Sequence, residues 1–320
     1  MTKALKLHLA YELGFHDLVG GFHYGVKNLE RVTCLSVQST RVSNVFKKEI
    51  TREWENKGRL IKRVQGCDNP ILREIEANLE DGMSVLEIGC GPGKLIEHLL
   101  RQYDKCNIVG LDISKDMIDA AKDRIDGIDL RKNTVDFIVG DIEDNIIKPA
   151  SFNSIILKQV VHHLYNPAQV LKKLKDYLRP GGSIILMVPG RHYQSEIFPF
   201  SEDKKDPLGR FSLTYLERII SEGLLFPVRL WEERFIFEFE NIYNYLNFMS
   251  DIGSLQKLFD YDHDKYSKVL EFCKMYEKIL AYTQTFHISG EYIVALCKRG
   301  DEGDQYQLEG VDREDVIYDS

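Results

Sequence analysis

From Ser84 to Val188 short apolar runs alternate with amphipathic stretches, and this rhythm narrows the choice of fold more than anything else in the chain. SVLEIG (84–89), NIVGLD (107–112), VDFIVG (135–140), SIILK (154–158) and SIILMV (183–188) read as buried strands. Helical spacing separates most of them. Leu95, Ile96, Leu99, Leu100 and Tyr103 share one helical face, as do Met117, Ile118, Ala121 and Ile125. Val170, Leu171, Leu174 and Leu178 form a third face, stopped at Pro180, Gly181 and Gly182. Only the link between the third and fourth strands lacks a clear helix. Such alternation predicts an α/β fold, a doubly wound and mostly parallel sheet whose ligands bind at the carboxyl ends of its strands.

The flanks have a different character. Stretches such as NVFKKEITREWENKGRLIKRV (44–64) predict mostly helices before the core, and GRHYQSEIFPFSEDKKDPLGR (190–210) reads as irregular. SLTYLERIISEG (212–223) predicts a helix. Phe235, Phe237 and Phe239 then alternate with Ile236, Glu238 and Glu240 in strand periodicity, and EYIVALC (291–297) is one more apolar strand. Between these two strands, residues 241–286 carry six tyrosines and four phenylalanines at roughly helical spacing, as an inserted helical layer would. The expected organisation is a helical segment at 1–80 contributing to a lid, a core at 81–240, an inserted helical lid at 241–289, a last core strand at 290–299 and an acidic tail at 300–320.

Several functional classes are excluded at this level. The formal net charge of -8 is concentrated in residues 300–320, where eight acids face Arg313 alone and sum to -7, which leaves -1 for the rest. A near-neutral body is not the basic face that phosphate recognition needs, so no nucleic acid partner is expected. No stretch approaches the roughly 18 uninterrupted apolar residues of a membrane span, and His8 and Glu12 interrupt any signal core, which points to a cytoplasmic protein without membrane contact. The six cysteines include no CxxC pair, so no metal site is indicated by spacing. A monomer or homodimer is expected.

Chemistry concentrates at the first strand end, Val85-Leu86-Glu87-Ile88-Gly89-Cys90-Gly91-Pro92-Gly93-Lys94. Glycines there let a ligand approach the backbone at a helix N-terminus. The dinucleotide fingerprint G-x-G-x-x-G would need glycine where Lys94 stands, which counts against a nicotinamide or flavin enzyme. Glu87 is more telling, because a carboxylate between Leu86 and Ile88 is costly to bury unless a cation or donors satisfy it. Asp112 ends the second strand, 23 residues after Gly89, where an acid can accept both hydroxyls of a ribose. A nucleoside bearing positive charge suits both carboxylates.

With these residues the sequence resembles the class I S-adenosylmethionine-dependent methyltransferases, well over about residues 80–190 and loosely over 212–298. Glu87 with Gly89, Gly91 and Gly93 looks like the family's first motif, and Gly140-Asp141-Ile142 like the turn that holds the adenine. LRPGG (178–182) is similar to the family's lead into the fifth strand, and EYIVALC to its antiparallel seventh. Phe152-Asn153 departs from the Phe-Asp of many relatives. The resemblance implies a seven-stranded Rossmann-like sheet with S-adenosylmethionine as cofactor. Its cofactor-binding positions are Glu87, Gly89, Cys90, Gly91, Gly93, Asp112, Ile113, Met117, Asp141, Ile142 and Gln159.

His162 and His163, beside Gln159 at the mouth of the sheet, are the candidate general bases, and a structural role for both is the competing reading. Adjacent residues at a helix start are expected to diverge, so that only one reaches the reacting atoms. His192, Tyr193, Tyr243 and Tyr245 are the candidate acceptor pocket, the last two also suiting core or interface. The expected reaction is in-line transfer of a methyl group to an O, N or C nucleophile of a small-molecule acceptor. Its rivals are other chemistry on the same cofactor (aminocarboxypropyl transfer, cyclisation, rearrangement) and a catalytically silent cofactor-binding subunit.

Overall fold

The structure, a computed structural model of the 320-residue chain, describes residues 62–65, 69–144, 147–149, 151–195, 200, 206, 208–239, 245 and 286–299. In chain order these form β1 (Lys62–Gln65), α1 (Pro70–Asn78), β2 (Ser84–Ile88), α2 (Lys94–Gln102), β3 (Asn107–Asp112), α3 (Lys115–Ile125) and β4 (Thr134–Val139). β5 (Phe152–Lys158), a 3-10 turn (Val161–His163), α4 (Pro167–Tyr177), β6 (Leu178–Pro189), α5 (Leu213–Glu222), β7 (Leu225–Phe239) and β8 (Phe286–Arg299) follow. The chain divides into two compact units. The larger spans 67–193, 209–234 and 291–320, and the smaller 1–66, 194–208 and 235–290, so the division falls within both β7 and β8.

The strands form one sheet in the order β1-β7-β8-β6-β5-β2-β3-β4. β2, β3, β4, β5 and β6 pair in parallel, and β8 runs antiparallel to β6, with Ile185 opposite Leu296. The expected doubly wound α/β sheet is therefore present, with eight strands instead of seven. The extra strand corrects the sequence reading: Lys62–Gln65 falls at the end of a stretch read as helix, yet it pairs antiparallel with β7, Lys62 opposite Glu238. Non-local pairing here overrides local propensity. Two further corrections concern length. β6 begins at Leu178, so the Pro-Gly-Gly read as a stop lies inside the strand, and β7 begins ten residues before the phenylalanines that announced it.

Strand alternation loads two cores. On one face Leu86, Ile88, Ile155, Leu157, Ile184 and Leu186 pack with Val170, Leu171 and Leu174 of α4 and Leu216, Ile219 and Ile220 of α5. On the other, Val85, Ile108, Ile156, Ile185 and Leu296 meet Ile71 and Ile75 of α1 and Leu95, Ile96, Leu99 and Leu100 of α2. Each such aliphatic side chain contributes about 1.5–3 kcal/mol on full burial. Asn153 supplies its side-chain oxygen as acceptor to Ser84 N at 2.9 Å and Arg179 Nη1 at 3.1 Å. A neutral amide oxygen thus joins the starts of β5 and β2 without a buried charge.

In the smaller unit Phe235 and Phe237 meet edge to face along β7, Phe239 lies tilted beside Phe237, and Phe239 and Phe286 surround the ring of Tyr245. The expected lid residues Tyr243 and 246–285, the helical segment 1–61 and the acidic tail lie outside the described residues. Among the described residues no helix is long and apolar enough to cross a membrane, and no group of His, Cys, Asp and Glu is placed to hold a metal ion.

Candidate active site

The carboxyl ends of β2 and β3 carry the best-formed polar constellation. After β2 the chain turns through Gly89, Gly91 and Gly93, at φ of 66°, 52° and 75°, a left-handed backbone that side chains disfavour. Gly89 N and Cys90 N both donate to the carbonyl of Leu111, at 2.7 and 3.0 Å, which fastens the turn to the end of β3. A Cβ on Gly89 would stand 2.3 Å from Val160 Cγ2, whereas one on Gly91 meets nothing within 4 Å. The turn is therefore closed on the side of β5 and open at its centre. Gly93 begins α2 and packs against Ala121 of α3. Arg124, also on α3, donates from Nε to the carbonyl of Pro92 at 2.6 Å and from Nη1 to Glu97 at 3.2 Å.

Asp112 organises this corner. Its Oδ2 accepts from Gly91 N and its Oδ1 from Ser114 N, both at 2.9 Å. Ser114 caps α3 by accepting from Met117 N at 3.3 Å. Burial raises the Asp112 carboxyl above the usual range, and the bonds from Ser114, Gly91 and Ile113 oppose that rise. A carboxylate offers about four acceptor sites, so acceptor capacity remains beyond these bonds.

Glu87 is 3% exposed and its Oε2 has no hydrogen-bond partner among the described residues. Burial pushes its carboxyl up to about 8, with Lys158 pulling it down and Asp112 raising it further. A buried carboxyl with an oxygen unpartnered among the described residues suits a ligand cation, which would displace its proton and join Lys158 in stabilising the charge. Cys90 lies beside it. Burial, with Glu87 and Asp112 adding to it, raises the thiol and keeps it protonated, so it lines the turn as a small apolar group and not as a nucleophile.

Gln159 follows β5 with φ of 61°, an unusual conformation for a non-glycine residue, and its N donates to the carbonyl of Met187 at 2.9 Å. The side-chain Nε2 is buried with no partner among the described residues. His162 and His163 come next. They lie in a three-residue 3-10 turn, since α4 starts only at Pro167, and their rings touch at 3.9 Å. The expected divergence at a helix start is thus replaced by two rings lying together. His162 also packs against Gly209, where a Cβ would come within 2.8 Å of its ring.

After β6 the loop 190–193 is set by a residue the sequence reading passed over. Glu291 is fully buried, and its Oε1 lies 2.4 Å from where a Gly190 Cβ would be. It accepts from His192 N at 3.1 Å and from Arg234 Nε at 2.8 Å. Tyr193 stacks on Tyr292 at 5.7 Å. A lone carboxylate in an apolar run is the signal that singled out Glu87, and the same rule applied to EYIVALC finds Glu291. Tyr245, in the smaller unit, is fully buried with its hydroxyl donating to Gln194 Oε1 at 2.8 Å. Asp141 and Ile142 occupy the turn after β4, where Asp141 Oδ1 accepts from Glu143 N at 2.9 Å.

Comparison with known proteins agrees with this geometry. Residues 79–206 match a family described as a methyltransferase domain. The chain is 29% identical over 161 residues, 49% of its length, to a biotin biosynthesis bifunctional protein of Teredinibacter turnerae, and 31% identical over 130 residues, 41% of its length, to a malonyl-acyl-carrier-protein O-methyltransferase of Priestia megaterium. The matches cover 28% and 45% of those two proteins, so the chain spans less than half of either. A solved Bacillus halodurans protein assigned as a methyltransferase shares the fold, with a TM-score of 0.52, 17% identity, and coverage of 72% of this chain and 99% of that one.

Proposed function

We propose that this chain, whose residues 79–206 match a methyltransferase domain, is a class I S-adenosylmethionine-dependent methyltransferase that transfers a methyl group to an O, N or C nucleophile of a small-molecule acceptor. The observation that carries the reading is the unpartnered buried oxygen of Glu87, one strand away from an Asp112 with acceptor capacity to spare. A ligand with a cation near a ribose answers both, and the open centre of the turn at Gly91 gives it room. When bound, S-adenosylmethionine supplies a methyl group on a sulfonium sulfur that leaves as a neutral thioether.

On this reading Glu87 receives the ammonium of the cofactor and Asp112 its ribose hydroxyls. Gly89, Cys90, Gly91 and Gly93 pass beneath it, Ile113 and Met117 flank the ribose end, Asp141 and Ile142 border the adenine, and Gln159 lines the side toward β5. His162 or His163 takes the acceptor's proton when its nucleophile is protonated at working pH, a role worth about 10²- to 10⁴-fold in rate. His192 and Tyr193 border the acceptor, Tyr243 and the segments 1–80 and 241–289 are the proposed lid, and Tyr245, fully buried between Phe239 and Phe286, serves the core instead. Beyond that proton the protein's contribution is alignment and exclusion of water. One of the two named relatives is an O-methyltransferase, which supports methyl transfer to oxygen, and the reading includes a cytoplasmic monomer or homodimer that binds neither nucleic acid nor membrane.

Calorimetry with S-adenosylmethionine and S-adenosylhomocysteine, followed by mass spectrometry of a metabolite mixture incubated with the full chain and cofactor, tests it. Micromolar binding and a product heavier by one methyl group are expected. Failure to bind either ligand, or a product carrying the aminocarboxypropyl arm instead, overturns it.

A further inference from the structure

The turn after β4 is shaped from outside. Gly140 N donates to the carbonyl of Asp112 at 2.9 Å, which keeps the turn beside β3. Beyond it Asp141, Ile142, Glu143 and Asp144 include no glycine and no residue with positive φ, so their turn needs no left-handed backbone. Three consecutive carbonyls, of Ile142, Glu143 and Asp144, instead converge on one ammonium, that of Lys173 on α4. The first two stand at 3.0 and 3.2 Å and the third is closer still. An ammonium has three N–H donors, so the three carbonyls use all of them.

Planar peptides fix what lies on the opposite side. A carbonyl and the N–H of the following residue point in opposite directions, so carbonyls drawn to Lys173 turn the amides of Glu143 and Asp144 away from it. Those amides donate to Asp141, one to its Oδ1 at 2.9 Å and one to its carbonyl at 3.0 Å. The peptide planes of the turn are thus held between Lys173 behind and Asp141 in front. A second tie runs from Tyr165 N to Glu143 Oε1 at 2.8 Å, fastening the turn to the loop before α4.

We infer that Lys173 is a positioning residue for the adenine end of the cofactor: it touches no ligand, and it sets the direction of the Asp141 carboxylate through the peptides between them. The inference rests on the function proposed above. Burial lowers the Lys173 ammonium, and Asp144, Asp141 and Glu143 oppose this; in its charged form its bonds to the carbonyls are charge-assisted. Such bonds are about twice as strong as neutral ones, which suits a clamp that gathers the carbonyls of three residues.

The test uses Lys173→Met, which keeps the stem and removes the donors, and Lys173→Arg, which keeps the charge in a planar fork that does not converge on three carbonyls. The full chain, its turnover first established with an acceptor found as above, is assayed with S-adenosylmethionine. It is also competed with S-adenosylhomocysteine and its inosine analogue, in which the adenine amino donor is replaced by a carbonyl. For Lys173→Met the KM for cofactor is expected to rise about tenfold, with kcat and the acceptor KM held within about twofold and part of the loss recovered in Lys173→Arg. The wild-type preference for adenine over the inosine analogue is expected to shrink by a similar factor, since the carboxylate that reads the amino group is no longer aimed. A merely structural lysine would lower the melting temperature and leave that preference intact, and this result overturns the inference. Should Lys173→Met not fold, an unchanged preference and KM in Lys173→Arg overturns it equally. Absence of cofactor binding in the wild type overturns the function itself, and is seen before either variant is made.

Discussion

The turns after β2 and β4 stand at the carboxyl ends of strands in one sheet, yet they hold their shapes by opposite means. Gly89, Gly91 and Gly93 adopt left-handed backbone because they lack side chains, and the turn they form is fastened by its immediate neighbours in the sheet, Leu111 and Asp112. The turn at Asp141–Asp144 has no such freedom and takes its shape from Lys173, some thirty residues later in the chain. The first turn writes its conformation into its own sequence, whereas the second depends on a distant helix being in place. Damage to the first should therefore be local and large, and damage to the second transmitted and graded.

The largest effect is expected at Gly89. Alanine there combines left-handed strain, about 1–2 kcal/mol, with a Cβ 2.3 Å from Val160 Cγ2, an overpacking of about 1–3 kcal/mol. Denaturant unfolding of Gly89→Ala should show a loss in the range of these two together, with cofactor binding abolished. A loss no greater than at Gly91 would break the claim that the turn is closed on that side.

Glu87→Gln separates binding from stability. Removing the charge should weaken cofactor binding by about 2–3 kcal/mol, the scale of a charge-assisted bond. It should also reverse a pH effect. The folded protein holds the Glu87 proton up to about 8, while the unfolded chain releases it near 4.5. Between those values the folded state binds more protons, so the wild type loses stability as pH rises through the window. The variant, with nothing to ionise there, should match the wild type below pH 4.5 and exceed it by a few kcal/mol above pH 8. Parallel stability curves for the two proteins from pH 4 to 9 would show that Glu87 is not a desolvated carboxylate.

Asp112→Ala should cost cofactor binding about 1.5–3 kcal/mol through the lost acceptors, and fold stability somewhat less, because Gly91 N and Ser114 N lose their partners. Unchanged affinity in the folded variant, by calorimetry, would sink its assignment to the ribose. The smallest effect belongs to Gly91→Ala, where φ of 52° costs about 1 kcal/mol but no atom stands within 4 Å. Its thermal stability should fall slightly while cofactor affinity drops more, since the added methyl enters the space a ligand would fill.

The same contrast explains how much was legible in the sequence. Apolar strand runs and helices with one apolar stripe announce themselves, so β2, β3, β5 and the core faces of α2, α3 and α4 were readable, whereas β4, read as a buried strand, is an edge strand with Val139 exposed. Glu87 and the glycines were readable because each breaks a local rule. β1 was not, since Lys62-Arg63-Val64-Gln65 has no apolar alternation and becomes a strand only by pairing with β7. Nor was the start of β7, where Pro227 and a run of charged residues mask the pattern. Lys173 is one of several lysines on an amphipathic helix, and nothing in that spacing marks the one that meets three carbonyls. Glu291 was readable by the rule applied to Glu87 and was missed.

Asp112 has a consequence for the timing of ligand capture. Because its two oxygens already hold Gly91 N and Ser114 N, its rotamer is chosen when β3 meets the turn, before any ligand arrives. Immobilising such a side chain at an interface ordinarily opposes association by about 0.5–1.5 kcal/mol, and here that ordering belongs to folding instead. A nucleoside reaching this corner meets a finished surface, so its rate of capture at Asp112 is governed by encounter and not by waiting for a carboxylate to turn.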